Sequence, residues 1–298
     1  MTSPGEVHAA LRTLELEVFR RLDGILHGDY EGLIPGHGTE LGEAREYAPG
    51  DDVRRIDWNV TARTGTTHVR DTIADRELET TLVVDLSGSM AFGTARTTKG
   101  RLAVAVAGAF GHLVQRGGNR IGAVVLRGDR RWRWPHRSGR RHLQGLLARL
   151  LADEPGGRGD LGGALGDAAR VARRRGFVVV VSDFLDDGDW PRRLRALARR
   201  HDVVAVEVVD PRERELVDVG AVVVRDPETG RRRWLDTSSP GLRARFREQA
   251  AARRAEIRSA IRAAAADHLV VATDRDWVRE LVEHVALRRR GRTSGRRR

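Results

Sequence analysis

The stretch Thr80-Thr81-Leu82-Val83-Val84-Asp85-Leu86-Ser87-Gly88-Ser89-Met90 decides how this chain is read. Its apolar and β-branched run from Thr81 to Val84 is too short for a helix and predicts a buried strand of the parallel-sheet kind. Asp85, Ser87 and Ser89 then fall at alternate positions, so a carboxylate and two hydroxyls leave one side of an extended loop. Hard divalent cations take oxygen ligands at near-octahedral geometry and keep positions open for water or an outside carboxylate. The spacing therefore predicts a metal cradle at the end of a strand. The competing reading is a loop whose Ser and Asp side chains satisfy its own backbone, as these residues commonly do without a metal.

Working outward, strand and helix patterns alternate. Thr97 to Arg116 has helical spacing, with Thr97 or Thr98 as N-cap, and Gly117-Gly118-Asn119 stops it. Ile121 to Leu126 is a second apolar strand, and Arg130 to Pro135 pairs with it across a tight turn. Trp132 and Trp134 share a face there, as core cover or as a stacking platform. Helices are expected over Leu143–Leu151, Leu161–Arg175, Trp190–Arg200, Gly241–Ala266 and Asp276–Leu287. Strands are expected over Phe177–Val181, Val203–Val209 and Leu269–Ala272, with a hairpin around Glu228-Thr229-Gly230. This alternation means a wound, mainly parallel α/β sheet with helices on both faces.

Before the decisive stretch lie an amphipathic helix over residues 6 to 27, a glycine-rich connection from Gly28 to Gly42, and a charged segment ending in a strand, His68 to Arg76. In that segment Arg45, Glu46, Asp51, Asp52, Arg54, Arg55, Asp57 and Arg63 read as a salt-bridged collar or as a docking surface. The expected organisation is an N-terminal extension over 1–77 that packs on the main domain, an α/β domain over 78–287, and a disordered arginine-rich tail over 288–298.

D-L-S-G-S-M resembles the metal-ion-dependent adhesion site of von Willebrand factor A domains. R-E-Y-A-P-G-D-D-V-R-R-I-D-W-N-V-T-A-R-T-G, from Arg45 to Gly65, looks like the signature of the bacterial DUF58 family. The resemblance covers roughly residues 25 to 290 and implies a von Willebrand A-like, Rossmann-like fold. It implies Asp85, Ser87 and Ser89 as ligands from a first loop and Asp183, in V-S-D-F, from a third. A second loop should give threonine, but here Gly159 stands beside Asp160. Asp160 is then either the replacement ligand or the N-cap of the helix starting at Leu161, a role Asp fills well. The implied ion is Mg2+ or Mn2+ ahead of Ca2+. The implied partner is a protein offering Asp or Glu to the ion, with MoxR-type AAA+ ATPases the partner class suggested by the family. Asp186, Asp187 and Asp189 precede Trp190-Pro191 and are explained by capping and the helix dipole.

The chain has no cysteine, which removes disulfides and zinc-thiolate sites. It has no run of 18 apolar residues and no signal-peptide pattern, so a cytoplasmic protein without a membrane span is expected. Formal charge is +12, with seven arginines among the last eleven residues. That tail is a solvated end or a contact for nucleic acid, anionic lipid or an acidic protein. Lys99 is the sole lysine, every other one of the 54 Lys and Arg residues being arginine.

Enzyme readings fare poorly. A haloacid-dehalogenase-type phosphatase needs a second aspartate where Ser87 stands. Ser87 lacks the flanking glycines of a nucleophile elbow. Lys99 lies outside any P-loop frame, and the histidines lack H-E-x-x-H spacing. A non-enzymatic, metal-dependent interaction module is the reading the residues favour. The alternatives are a Mg2+- or Mn2+-dependent hydrolase or phosphotransferase using Asp85, Asp183 and Asp160, and a nucleic-acid-associated protein acting through residues 288–298.

Overall fold

A computed structural model describes residues 4–25, 41–49, 51–53, 56–72 and 78–295. The chain divides into two compact units, one of Met1–Pro35 with Leu78–Arg298 and the other of Gly36–Glu77. The first helix thus groups with the α/β unit, and the boundaries fall at 35/36 and 77/78 rather than at 77 alone. That helix is α1 (Pro4–Thr13), followed by a π-helical segment (Leu14–Phe19) and α2 (Arg20–Ile25). It is fixed at its apolar face, where Phe19 stacks on His112 with centroids 4.4 Å apart. Glu15 accepts from Gln144 Nε2 at 2.6 Å, and Asp23 from His112 Nε2 at 2.8 Å. The glycine-rich connection lies outside the described residues.

In the smaller unit β1 (Leu41–Glu46) pairs antiparallel with β2 (His68–Thr72), and α3 (Trp58–Thr64) stands between them. Asp57 caps α3 by accepting from the amides of Asn59 and Val60, and Gly65 ends it at φ +75°. The helix is not legible in the sequence because its stop signal, Gly65, sits only eight residues from its cap, Asp57. The charges here pair locally: Arg45 holds Asp51 through two 2.7 Å bonds, and Asp51 also accepts from Ala48 N. Arg54 and Arg55 lie outside the described residues.

The larger unit is the expected wound sheet. It runs β3 (Glu79–Asp85), α4 (Lys99–Arg116), β4 (Arg120–Arg127), β5 (Arg130–Arg137), α5 (Arg140–Ala152), α6 (Leu161–Val171) and β6 (Phe177–Ser182). It continues with α7 (Trp190–Ala198), β7 (Asp202–Val209), the hairpin β8 (Ala221–Arg225) and β9 (Arg232–Asp236), α8 (Pro240–Ala263), β10 (Asp267–Ala272) and α9 (Trp277–Gly295). Strand order is β10-β7-β6-β3-β4-β5, parallel except for the β4–β5 edge, and β8–β9 forms a separate two-stranded sheet.

Alternation within each strand builds both cores. Leu82 and Val84 face one core with α4, α5, α9 and the N-terminal helices. Val83 faces the other, with Leu161 and Leu165 of α6, Trp190 and Leu194 of α7, and Ile257 and Ile261 of α8. Trp132 and Trp134 pack against the first core, and Trp132 Nε1 donates to Asp153 at 2.8 Å, so the pair is core cover. α9 carries on through 288–295, where the sequence suggested a disordered tail; arginine is a good helix former. Among the described residues, no helix is long and apolar enough to cross a membrane.

Candidate functional site

Because β3 is flanked by β4 on one side and β6 on the other, the chain changes winding direction between β3 and β6. The loops leaving their carboxyl ends part there, and in open parallel sheets that crevice is where ligands bind. Asp85 ends β3, and Ser182 and Asp183 end β6.

Asp85 is 3% exposed. Its Oδ1 accepts from the Ser87 amide at 2.8 Å and its Oδ2 from Ser182 Oγ at 2.6 Å. Both donors are neutral. Burial, and then the charge of Asp183, push its pKa up to about 6. Ser87 Oγ lies 3.3 Å from Ser89 Oγ, so the two hydroxyls converge as the spacing predicts. The first loop is laced to the second: Gly156 N donates to Leu86 O at 3.0 Å, and Gly88 N to Gly157 O at 2.8 Å.

Asp183 is 4% exposed, but a cation meets it. Lys99 Nζ donates to its Oδ2 at 2.7 Å and also to Glu213, while Asp183 Oδ1 accepts from Leu185 N at 3.1 Å. The Lys99 side chain has no exposed surface. Burial works against its charge, but the Asp183 and Glu213 carboxylates outweigh burial and hold its pKa above lysine's ordinary value. Burial raises that of Glu213 despite Lys99. Phe184, next to Asp183, is fully buried at φ +57°, a conformation a bulky residue adopts only under constraint. It packs against Trp190 with centroids 5.0 Å apart and fixes the turn that presents Asp183.

A third carboxylate also anchors the crevice. Asp210, fully buried after β7, accepts from Thr94 N at 2.8 Å, Thr94 Oγ1 at 2.6 Å and Thr273 Oγ1 at 2.7 Å. These bonds tie the loop between the Ser89 turn and α4 to the ends of β7 and β10.

Asp160 faces elsewhere. It caps α6, accepting from Gly163 N at 2.8 Å, and its other oxygen pairs with Arg131. Asp186 accepts from the first amide of the same helix, Leu161 N, at 2.7 Å, so it caps α6 rather than α7. Asp189 pairs with Arg193 and makes no capping bond to α7.

At Gly159 the second loop runs close against Ser87, where a Cβ would come within 3.2 Å of Ser87 Cβ. A carbon placed on its Cα would lie 3.4 Å from Ser87 Oγ and 3.7 Å from Glu228 Oε1. Glu228 comes from the tip of the β8–β9 hairpin, and the Gly159 amide donates to its carboxylate. Burial, then the charges of Asp183, Asp226 and Asp186, raise its pKa despite that bond.

The donor set suits a small hard cation. Among the described residues no three carboxylates or imidazoles stand close enough to hold one ion by themselves, so the set is mixed, carboxylate with hydroxyl. The unbalanced negative charge at Asp85, with the cradle beside Gly159, is what a divalent ion would answer.

The sequence reading brought Asp85, Ser87, Ser89 and Asp183 to one crevice and missed Lys99, Ser182, Glu213 and Glu228. Lys99 had a signal: the only lysine stands at the first position of a helix, where the dipole disfavours a cation unless anions surround it. Glu228 had none, because its role is set by how the hairpin folds back.

The profile of the family described as "Protein of unknown function DUF58" matches residues 43–256. The chain is 53% identical over 291 residues to "Uncharacterized protein Rv1480" of Mycobacterium tuberculosis, covering 96% of this chain and 91% of that protein. Similar solved structures include the conserved hypothetical protein BatB from Bacteroides thetaiotaomicron, with 15% identity, TM-score 0.45, and coverage of 71% of this chain and 98% of that one. They also include the SpRpn10 VWA domain, with 12% identity, TM-score 0.39, and coverage of 69% and 94%.

Proposed function

Since the chain belongs to the DUF58 family, we propose that it is a non-enzymatic protein-interaction module in which Asp85, Ser87, Ser89 and Asp183 hold Mg2+ or Mn2+ and a partner's Asp or Glu completes the site. The observation that carries this reading is Asp85: a buried carboxylate beside a second one, met by neutral donors, the Ser182 and Ser87 hydroxyls and the Ser87 amide. A bound divalent ion would supply the missing charge and an open coordination position for an outside carboxylate. Ser87 and Ser89 add neutral oxygens, and Ser182 orients Asp85. The three carboxyl-end loops, fixed through Lys99 and Asp210, give a rigid frame around that position.

A hydrolase reading finds little support in the same geometry. Lys99 is kept protonated between two carboxylates and is no general base at neutral pH. The partner class we favour is a MoxR-type AAA+ ATPase, with the chain acting as an adaptor in the cytoplasm. Biolayer interferometry with the purified MoxR-type ATPase of the same genome tests it. Binding in Mg2+ that is lost in EDTA and in Asp85→Asn is expected; no binding, or binding indifferent to both changes, contradicts the reading.

A further inference from the structure

The second loop lacks a side-chain oxygen at Gly159, and the structure brings one from another part of the chain. We propose that Glu228, and not Asp160, supplies the second-loop contribution to the cation site, facing the ion from the Gly159 side across a coordinated water. This deepens the metal-site reading above and rests on it.

Three observations place Glu228 there. First, Glu228 Oε1 and Ser87 Oγ both border the space that a side chain on Gly159 would fill, and the Gly159 amide already holds the Glu228 carboxylate. Second, the hairpin tip is held by its own hydrogen bonds and seated on the first loop. Asp226 Oδ1 accepts from Glu228 N at 2.9 Å and Thr229 N at 3.2 Å, and its Oδ2 accepts from Thr229 Oγ1 at 2.6 Å. A Cβ on Gly88 would meet Pro227 O at 2.7 Å, so the turn rests directly on the D-x-S-x-S loop, and glycine is what allows it. Third, the strongest charges acting on Glu228 are those of Asp183, Asp226 and Asp186, all negative. Each of those charges makes ionised Glu228 less favourable, and a divalent ion beside it would offset them.

Asp160 fails on the same grounds. Its side chain is half exposed, neutralised by Arg131 and engaged with the Gly163 amide of its own helix. That exposure sets it apart from Asp85 and Asp183, which are both buried at the strand ends. Glu228 stands outside the tight group around Asp85, which is why its share runs through water: no three carboxylates among the described residues are close enough to bind one ion directly.

Isothermal titration of Mn2+ into the EDTA-stripped full chain tests the assignment, with Asp85→Asn, Glu228→Gln, Asp160→Asn and the double variant Glu228→Gln/Gly159→Thr. Glu228→Gln keeps an oxygen for the Gly159 amide and removes only the charge. It should weaken Mn2+ at least tenfold while leaving the metal-free melting temperature as high as that of wild type or higher. Asp160→Asn should stay within twofold of wild type, and Thr at 159 should recover part of the lost affinity. If Glu228→Gln binds Mn2+ as wild type does while Asp85→Asn has lost it, this assignment is overturned and the metal site stands. If Asp160→Asn carries the loss, Asp160 takes the role and Glu228 does not. If wild type takes up no Mn2+, the assignment falls together with the site it rests on.

Discussion

Asp85 and Asp183 end neighbouring strands and are buried alike, yet they are held in opposite ways. Asp183 has a lysine of its own, which it shares with Glu213. Asp85 is held by neutral donors, two serine hydroxyls and an amide. The third loop therefore carries its own cation, and Asp183 stands beside Asp85 with its charge already shared with Lys99. The first loop is short of one positive charge. In a chain with a single lysine among 54 Lys and Arg residues, that lysine sits between two carboxylates, where a compact ammonium meets both.

The sharpest way to break this contrast is to remove the lysine. Lys99→Met leaves Asp183 and Glu213 without their shared partner, and stripping one side of a buried pair costs about 3–5 kcal/mol. The melting temperature should fall on the order of 10 °C. Lys99→Arg should not restore it. A fall of only a degree or two would mean that the third loop does not depend on this pair. Asp85→Asn, by contrast, should raise the metal-free melting temperature at neutral pH, because it removes a buried charge that folding disfavours.

A milder test uses pH. Asp85's pKa is raised from 3.8 to about 6, so folding favours its protonated form. Its stabilising contribution is complete below about pH 4 and is lost as pH rises through 6. Melting curves in EDTA should show that loss across this window, and Asp85→Asn should flatten it. A wild-type curve unchanged by Asp85→Asn would assign the titration to other groups.

The smallest effect concerns how Lys99 is delivered. Thr98 caps α4 through the Arg101 amide, and Thr98→Ala should cost about 1 kcal/mol in urea unfolding without changing the slope. A loss as large as that of Lys99→Met would show that the cap and the buried pair act as one unit.

Much of this contrast was legible in the sequence on one side only. The strand Thr81–Val84 and the alternation after it located the first loop, because period-two spacing and a β-branched run constrain a strand locally. Asp183 followed from the same pattern at Phe177–Val181. Its partner Lys99 is 84 positions away in the chain, and no local pattern connects them. Glu228 was read as a turn residue, which it is; only the hairpin's seat on Gly88 shows that the turn also faces the site. The N-cap of α6 was one of two readings open for Asp160, and Arg131, from a strand it does not neighbour in sequence, turns the side chain to that use.

The first loop holds a buried carboxylate met by neutral donors, and a divalent ion would supply the charge it lacks. Electron paramagnetic resonance of Mn2+ added to EDTA-stripped protein reads this directly. The account predicts one bound Mn2+ per chain, displaced by excess Mg2+ and absent in Asp85→Asn. Free Mn2+ signal undiminished by wild-type protein, or binding that survives Asp85→Asn, would contradict it.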